Sequence, residues 1–429
     1  MMNKGREKMN RLLKKLLAYS LFSVLAVTAL SATTFSGDLL SKPHRIFQVG
    51  VDSKVMIANN LFGVEDILTK NIEIDLQKMA DSLPNYGFAF SIYEHERVFV
   101  DLNISSRFRF SVFSDLESSG RLNVSKDLFD LLGSGISVGD TKTVDVEGFA
   151  DVFYDMGFSF QTIIKGYGIK FTPSYYVPLV YVPKTKASAK VTTNKNGLIR
   201  TDAEANVEIY TAVSMHDFME DEKTADNLNL NTADILSNGG FDFAIEVERN
   251  WLHGLNAGLY TRIPLTGGTL NYKMSSRFWA YAYETNTLGY LNKSEEHKAD
   301  KGHDDFVYTE ESYKAYRPLK FGLNATYMPF GDWFKIQPAL GFAIRAPYTS
   351  EALFYPEYAL DLNFSVLKHI FNFNLSTAYQ QQVFQHRFGF ALNLRALEIL
   401  AQISMCGTGF MSTFHTAGYG AFAGVRIGF

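Results

Sequence analysis

Residues 418–429 read G-Y-G-A-F-A-G-V-R-I-G-F. Side chains of a strand alternate between its two faces. Tyr419, Ala421, Ala423, Val425, Ile427 and Phe429 therefore share one face, and Gly420, Phe422, Gly424, Arg426 and Gly428 share the other. The first face suits lipid. The second is mostly small and carries a cation. An alternating strand that ends on an aromatic residue, in a chain that opens with an export signal, points to the closing strand of an outer-membrane β-barrel.

That opening signal lies at residues 1–32. Lys4, Arg6, Lys8, Arg11, Lys14 and Lys15 form a basic region, Leu16 to Leu30 an apolar one, and Ala29-Leu30-Ser31-Ala32 a small-residue cleavage site, the pattern of a secretory signal. Its removal takes away six cations and makes the chain more acidic than its formal charge of −4, which disfavours nucleic acid as a partner. The single cysteine, Cys406, excludes an internal disulfide.

Composition agrees with a barrel. Aromatic residues make up 14% of the chain, yet the mean hydropathy is only −0.06, and no later stretch has the roughly 18 consecutive apolar residues of a membrane helix. Strands that show lipid only every second residue reconcile the two.

Alternating runs follow one another from Arg97. Val98, Val100 and Leu102, then Phe241, Phe243 and Ile245, then Leu319, Phe321 and Leu323, then Phe388, Phe390 and Leu392 are examples. Many reach about ten residues, enough to cross a bilayer when tilted. Counted back from Phe429 as the periplasmic end, the turns at Lys165-Gly166, Pro264 to Gly268, Pro329 to Trp333, Lys368-His369 and Ala396 to Glu398 fall inside, and the loops 115–147, 284–317 and 346–356 fall outside. Residues 216–238 break the pattern as a long periplasmic connection. The fold expected is an all-β membrane protein, an antiparallel transmembrane β-barrel of about 14 strands, with 16 as the competitor. The expected domains are a signal peptide at 1–32, a periplasmic or luminal hatch at 33–96, and the barrel at 97–429.

The barrel's inward face collects Asp242, Glu246, Glu248, Lys320, Lys335, Asp361 and the arginines Arg345, Arg387, Arg395 and Arg426. A guanidinium holds a carboxylate in a bidentate grip, so these arginines are candidate ligands for an anionic head group. The last outer loop carries Phe410, Met411 and Phe414 where water is expected, which fits contact with lipid or a hydrophobic ligand. The acidic and histidine residues of the outer loop, Glu295, Glu296, His297, His303, Asp304 and Asp305, match no metal motif, and no nucleophile, phosphate-loop or dinucleotide signature appears. The chain is thus expected to be neither an enzyme nor the carrier of a cofactor or metal.

The signal, the N-terminal segment, the strand count and the ending G-V-R-I-G-F make the chain similar to the FadL-type outer-membrane transporters, in particular FadL-like barrels of spirochaetes. The family's N-terminal Asn-Pro-Ala segment has no counterpart at Ala58-Asn59-Asn60. The resemblance implies passive uptake of long-chain fatty acids or other hydrophobic molecules across the bacterial outer membrane, past an N-terminal hatch, with lateral exit through the wall. Membrane lipid and the barrel-assembly machinery, the latter through the strand ending in Phe429, are the further partners expected. A general porin for small polar solutes and a surface adhesin are the alternatives.

Overall fold

A computed structural model describes residues 39–41, 45–62, 75–105, 107–193, 198–215, 232–286, 300–367, 369–380, 382–415 and 418–429. The signal sequence expected at 1–32 lies outside them. The strands are β1 (Phe47–Asn59), β2 (Phe88–Asn103), β3 (Phe108–Val124), β4 (Thr141–Ile164), β5 (Tyr167–Thr193), β6 (Leu198–Thr211), β7 (Gly240–Leu252), β8 (Leu255–Pro264) and β9 (Gly268–Asn286). They continue with β10 (Asp300–His303), β11 (Val307–Ala315), β12 (Leu319–Tyr327), β13 (Phe334–Arg345), β14 (Leu353–Val366), β15 (Phe371–Gln380), β16 (Val383–Leu394), β17 (Leu397–Gly407) and β18 (Tyr419–Gly428). Three short helices, α1 (Leu76–Ser82), α2 (Lys126–Gly133) and α3 (Thr232–Ser237), lie between strands.

Fourteen strands close a ring, in the order β1, β2, β3, β4, β5, β7, β8, β12, β13, β14, β15, β16, β17 and β18, with β18 pairing back onto β1. All pairs are antiparallel. The closure is tight at its end: the Ile46 amide donates to the Phe429 carbonyl at 2.7 Å, and the Phe429 amide donates to the Phe47 carbonyl at 3.0 Å. Closure removes the free edges that hydrocarbon cannot satisfy. The outer face of β14 shows what the ring buries in lipid: Phe354, Pro356, Tyr358, Leu360 and Val366 are exposed there, while Tyr355, Glu357 and Asp361 point inward and are buried. The chain is an outer-membrane β-barrel.

The expected start of the barrel at Arg97 is corrected. β1 and the first half of β2 belong to the wall: β1 pairs with β18 from Gln48↔Gly428 to Ile57↔Tyr419, and with β2 along its whole length. Residues 47–59 and 88–96 are therefore wall rather than hatch. Their alternation had been obscured because Asp52 and Lys54 face the lumen and Ser53 interrupts the apolar face.

Four strands stand outside the ring. β6 pairs with the outer half of β5, and β9 pairs with β6, β10 and β11. β6 and β7 are both antiparallel to β5, so they run the same way, and β8 and β9 likewise. The wall therefore rises above the membrane on this side as a second tier that continues the lower one across a seam. Pro264 to Gly268 is a break in that seam and not a periplasmic turn. Most of the expected periplasmic connection at 216–238 lies outside the described residues; the strands that flank it, β6 and β7, run the same way, and β6 and β9 belong to the upper tier. At the seam Phe153, Tyr176, Tyr181, Tyr210, Leu270 and Ala315 pack as a buried cluster.

The short turns β4–β5, β7–β8, β12–β13, β14–β15 and β16–β17 gather at the other end, which is periplasmic by the usual asymmetry, although the tight β15–β16 hairpin lies at the outer end. Tyr327, Phe330 and Trp333 flank one of them, with the Phe330 and Trp333 rings stacked at 5.9 Å, and Arg249 lies over both Tyr167 and Trp251. These rings form an interfacial girdle. The β4–β5 turn has positive φ at Lys165 (51°) and Gly166 (82°), the twist-matched hairpin conformation. Gly166→Ala is expected to lower stability by about 1 kcal/mol, seen as a lower urea midpoint at unchanged slope.

Candidate functional site

The lumen is crossed by charged side chains from facing walls. Arg345 donates from Nε and Nη2 to the Asp151 carboxylate at 2.8 and 2.6 Å and from Nη2 to the Val182 carbonyl at 2.8 Å. The Phe149 and Tyr181 rings lie 4.5 Å from its guanidinium. Arg317, in the seam between β11 and β12, bonds Asp155, reaches Asp242 at 3.0 Å and reaches Glu117 at 3.0 Å. Arg262 adds a contact to Glu117 at 3.7 Å. Nearer the outer mouth, Arg121 of β3 donates across the barrel to the Gln382 side chain at 2.8 Å. These spokes tie strands that are far apart in sequence, and they narrow the channel to what the polar side chains leave.

One part of the lumen differs. Arg387 of β16, Ser404 of β17, Gly420 of β18 and Met56 of β1 lie in one register row. From this row outward, Met56, Ala58, Tyr93, Val383 and Cys406 form a buried apolar cluster at the outer mouth. Arg387 is 3% exposed and Gln385 0%. Nε and Nη2 of Arg387, both amide atoms of Gln385 and Nε2 of Gln380 have no hydrogen-bond partner. Lys54 reaches into the same space, its ammonium 5.3 Å from the Tyr93 ring centre, with Arg387 and Lys320 among its charged neighbours and Glu357 as an anion. A side chain at position 420 would close the space, because a Cβ there would lie 2.2 Å from Ser404 Oγ. Buried donors without acceptors cost about 1–3 kcal/mol each. An arrangement of several such donors beside an apolar patch suits a molecule with an oily body and an acceptor-bearing head.

The candidate residues from the sequence separate on this geometry. Arg387 has unmet donors and lies beside the apolar cluster. Arg345 is inward and is already held by Asp151 through Nε and Nη2, which leaves only its Nη1 unbonded. Arg426 is inward near the periplasmic end, 3.4 Å from Asp52 and 3.9 Å from Glu398. Arg395 is corrected: it occupies the exposed β16–β17 turn with φ 47°, because the tight hairpin takes it out of the strand. Phe410 and Phe414 pack on His386, with ring centres at 4.9 and 4.5 Å. His386 is on the outer face of β16, so both rings meet the membrane side of the rim and not the lumen. Glu295, Glu296 and His297 lie outside the described residues. His303 lies against Phe278 with the rings tilted at 37°, and among the described residues no group of three potential ligands could hold a metal.

Lys54, Gln385 and Arg317 were not singled out from the sequence. Lys54 had a signal, since Gly50, Asp52, Lys54 and Met56 alternate with Val49, Val51 and Val55. Arg317 had another: Arg317-Pro318 separates two alternating runs without any turn residues. Gln385 had none.

At the periplasmic end the described residues ahead of β1 contact the wall at separate places. The Leu39 amide donates to Glu248 at 2.5 Å, Gln161 donates to the Leu39 carbonyl at 2.6 Å, and Arg109 donates to the Ser41 carbonyl. Arg45 is fixed on the opposite wall by Glu398 at 2.9 Å and Asn393 at 2.7 Å.

No family model and no curated protein matches the chain. Solved structures similar to it include the P. putida toluene transporter TodX, at 9% identity over 94% of this chain and 96% of that one, with a TM-score of 0.44. The Ralstonia pickettii toluene transporter TbuX is similar at 7% identity over 94% and 97%, with a TM-score of 0.44. A Pseudomonas aeruginosa FadL homologue is similar at 10% identity over 94% and 99%, with a TM-score of 0.42. The FadL-type barrels to which the sequence pointed are thus among the structures found, and at this degree of likeness no cargo is carried over from them.

Proposed function

We propose that this barrel is an outer-membrane uptake channel for hydrophobic small molecules with an acceptor-bearing head, long-chain fatty acids being the substrate class that fits. The observation that carries this reading is the set of buried, unpartnered donors on Arg387 and Gln385 beside the apolar cluster of Met56, Ala58, Tyr93, Val383 and Cys406. A carboxylate would meet two of those donors at once, and the cluster would take the start of the acyl chain. Leu39 to Ser41 and Arg45, at the periplasmic end, act as part of the hatch. Purified protein in nanodiscs is expected to bind a radiolabelled C16 fatty acid saturably and to restore its uptake in cells lacking a transporter. Absence of both results removes the proposal.

The dense ion pairs of the lumen favour a second reading, a channel for small polar solutes. Conductance separates the two. The spokes Arg345–Asp151, Arg317–Asp155 and Arg121–Gln382 predict little stable current in a planar bilayer. A large, steady open-state current would favour the porin.

A further inference from the structure

The outer face of the wall is not uniform around the ring. On β14 the outward residues from Val366 to Phe354 are apolar without interruption. At a strand tilt of ~40° each residue gains roughly 2.5 Å in height, so this face spans about 30 Å. On β2 the outward series starts with Leu102, Val100 and Val98, all exposed, and then meets Glu96 and Glu94. The same level carries Ser53 on β1, Ser114 and Ser118 on β3 and Tyr154 on β4. Ser53 donates to Glu96, Ser118 donates to Glu94 at 3.2 Å, and Ser114 donates to the Tyr154 hydroxyl at 3.0 Å. The neighbouring cations Lys54 and Arg97 are on the opposite, luminal face of their strands. Among the described residues no cation pairs with either carboxylate, and Glu94 and Glu96 are the two carboxylates on the lipid side of the membrane-crossing strands.

We infer that along β1–β4 the polar head-group layer of the outer leaflet dips to the level of Glu94 and Glu96, so that the bilayer is thinner on this side of the barrel than beside β14. Two carboxylates held only by hydroxyls are costly in hydrocarbon, whereas local thinning of a bilayer is a small cost per ångström. Lipid heads and their water supply the missing hydration and cations. A second copy of the chain does not, because a two-fold contact through this face would bring four carboxylates together.

The test compares two nitroxide labels eight residues above the periplasmic ends of their strands, Leu116→Cys on β3 and Tyr358→Cys on β14, in full-length protein in phosphatidylethanolamine/phosphatidylglycerol nanodiscs. Cys406 is buried and stays unlabelled in the folded barrel. The label at 116 is expected to collide with a water-soluble nickel complex several-fold more often than the label at 358, and to do so less with oxygen. Adding Glu94→Leu and Glu96→Leu is expected to make the two positions alike. If that variant does not fold, the comparison without it still decides. Equal, lipid-like accessibility at both positions overturns the inference. So does a label at 116 shielded from both reagents, which would mean that protein covers this face.

Discussion

Replacing Arg317 with Met is expected to destabilise the barrel by about 3–5 kcal/mol, the cost of breaking a buried ion network by removing one partner. Asp155, Asp242 and Glu117 all meet this one guanidinium. Asp155 and Asp242 are almost fully buried, and Met offers neither charge nor donor. Glu117 keeps Arg262 at 3.7 Å and Lys320 among its charged neighbours. The loss also falls on a mechanical junction: Arg317 occupies the step between β11 and β12, where the upper tier hands over to the membrane ring. Guanidinium unfolding in detergent, followed by tryptophan fluorescence and by the heat-shifted gel mobility of folded barrels, measures it. A loss under about 1 kcal/mol, the range of an exposed pair, would mean that the network is hydrated and does not brace the seam.

Much of the fold was legible because the period of two survives in nearly every strand. Phe321, Leu323 and Tyr327 face lipid, and Lys320 faces the lumen, as alternation requires. Short turns with special backbone, such as Lys165-Gly166, were equally plain. Two features were hidden. Counting turns assumes that consecutive strands reverse direction, and β6–β7 and β8–β9 do not, so the count behind a periplasmic loop at 216–238 rests on an assumption that fails here. β1 was missed because its inward face carries Asp52 and Lys54 and its outer face carries Ser53. The site was legible only as a list of inward arginines. Which of them is paired depends on contacts across the barrel: Arg345 meets Asp151 through a separation of 194 residues, and no periodicity along the chain encodes that pairing. The outward position of Phe410 and Phe414 likewise depends on how their loop folds back on β16.

Arg387 is expected to behave in the opposite way from Arg317, although both are buried arginines of the lumen. Arg317 is ion-paired to three carboxylates and leaves only its Nε unbonded, whereas Arg387 has neither its Nε nor its Nη2 bonded, and Asp361 is its electrostatic counterpart without a direct bond. Arg387→Met removes unmet donors and a buried charge while keeping an apolar stem beside Cys406. Stability is expected to stay within about 1 kcal/mol of the parent, since the lost attraction to Asp361 is offset by the relieved desolvation. Binding of a C16 fatty acid is expected to weaken about 10- to 100-fold, the equivalent of one or two hydrogen bonds to a charged group. The corresponding alcohol, which cannot offer a carboxylate, should lose far less. This divergence is the signature of a group kept for a ligand at the expense of folding. If Arg387→Met destabilised the barrel as Arg317→Met does and left fatty-acid affinity unchanged, the guanidinium would be a structural member of the lumen. The recognition of an anionic head would then have to lie elsewhere.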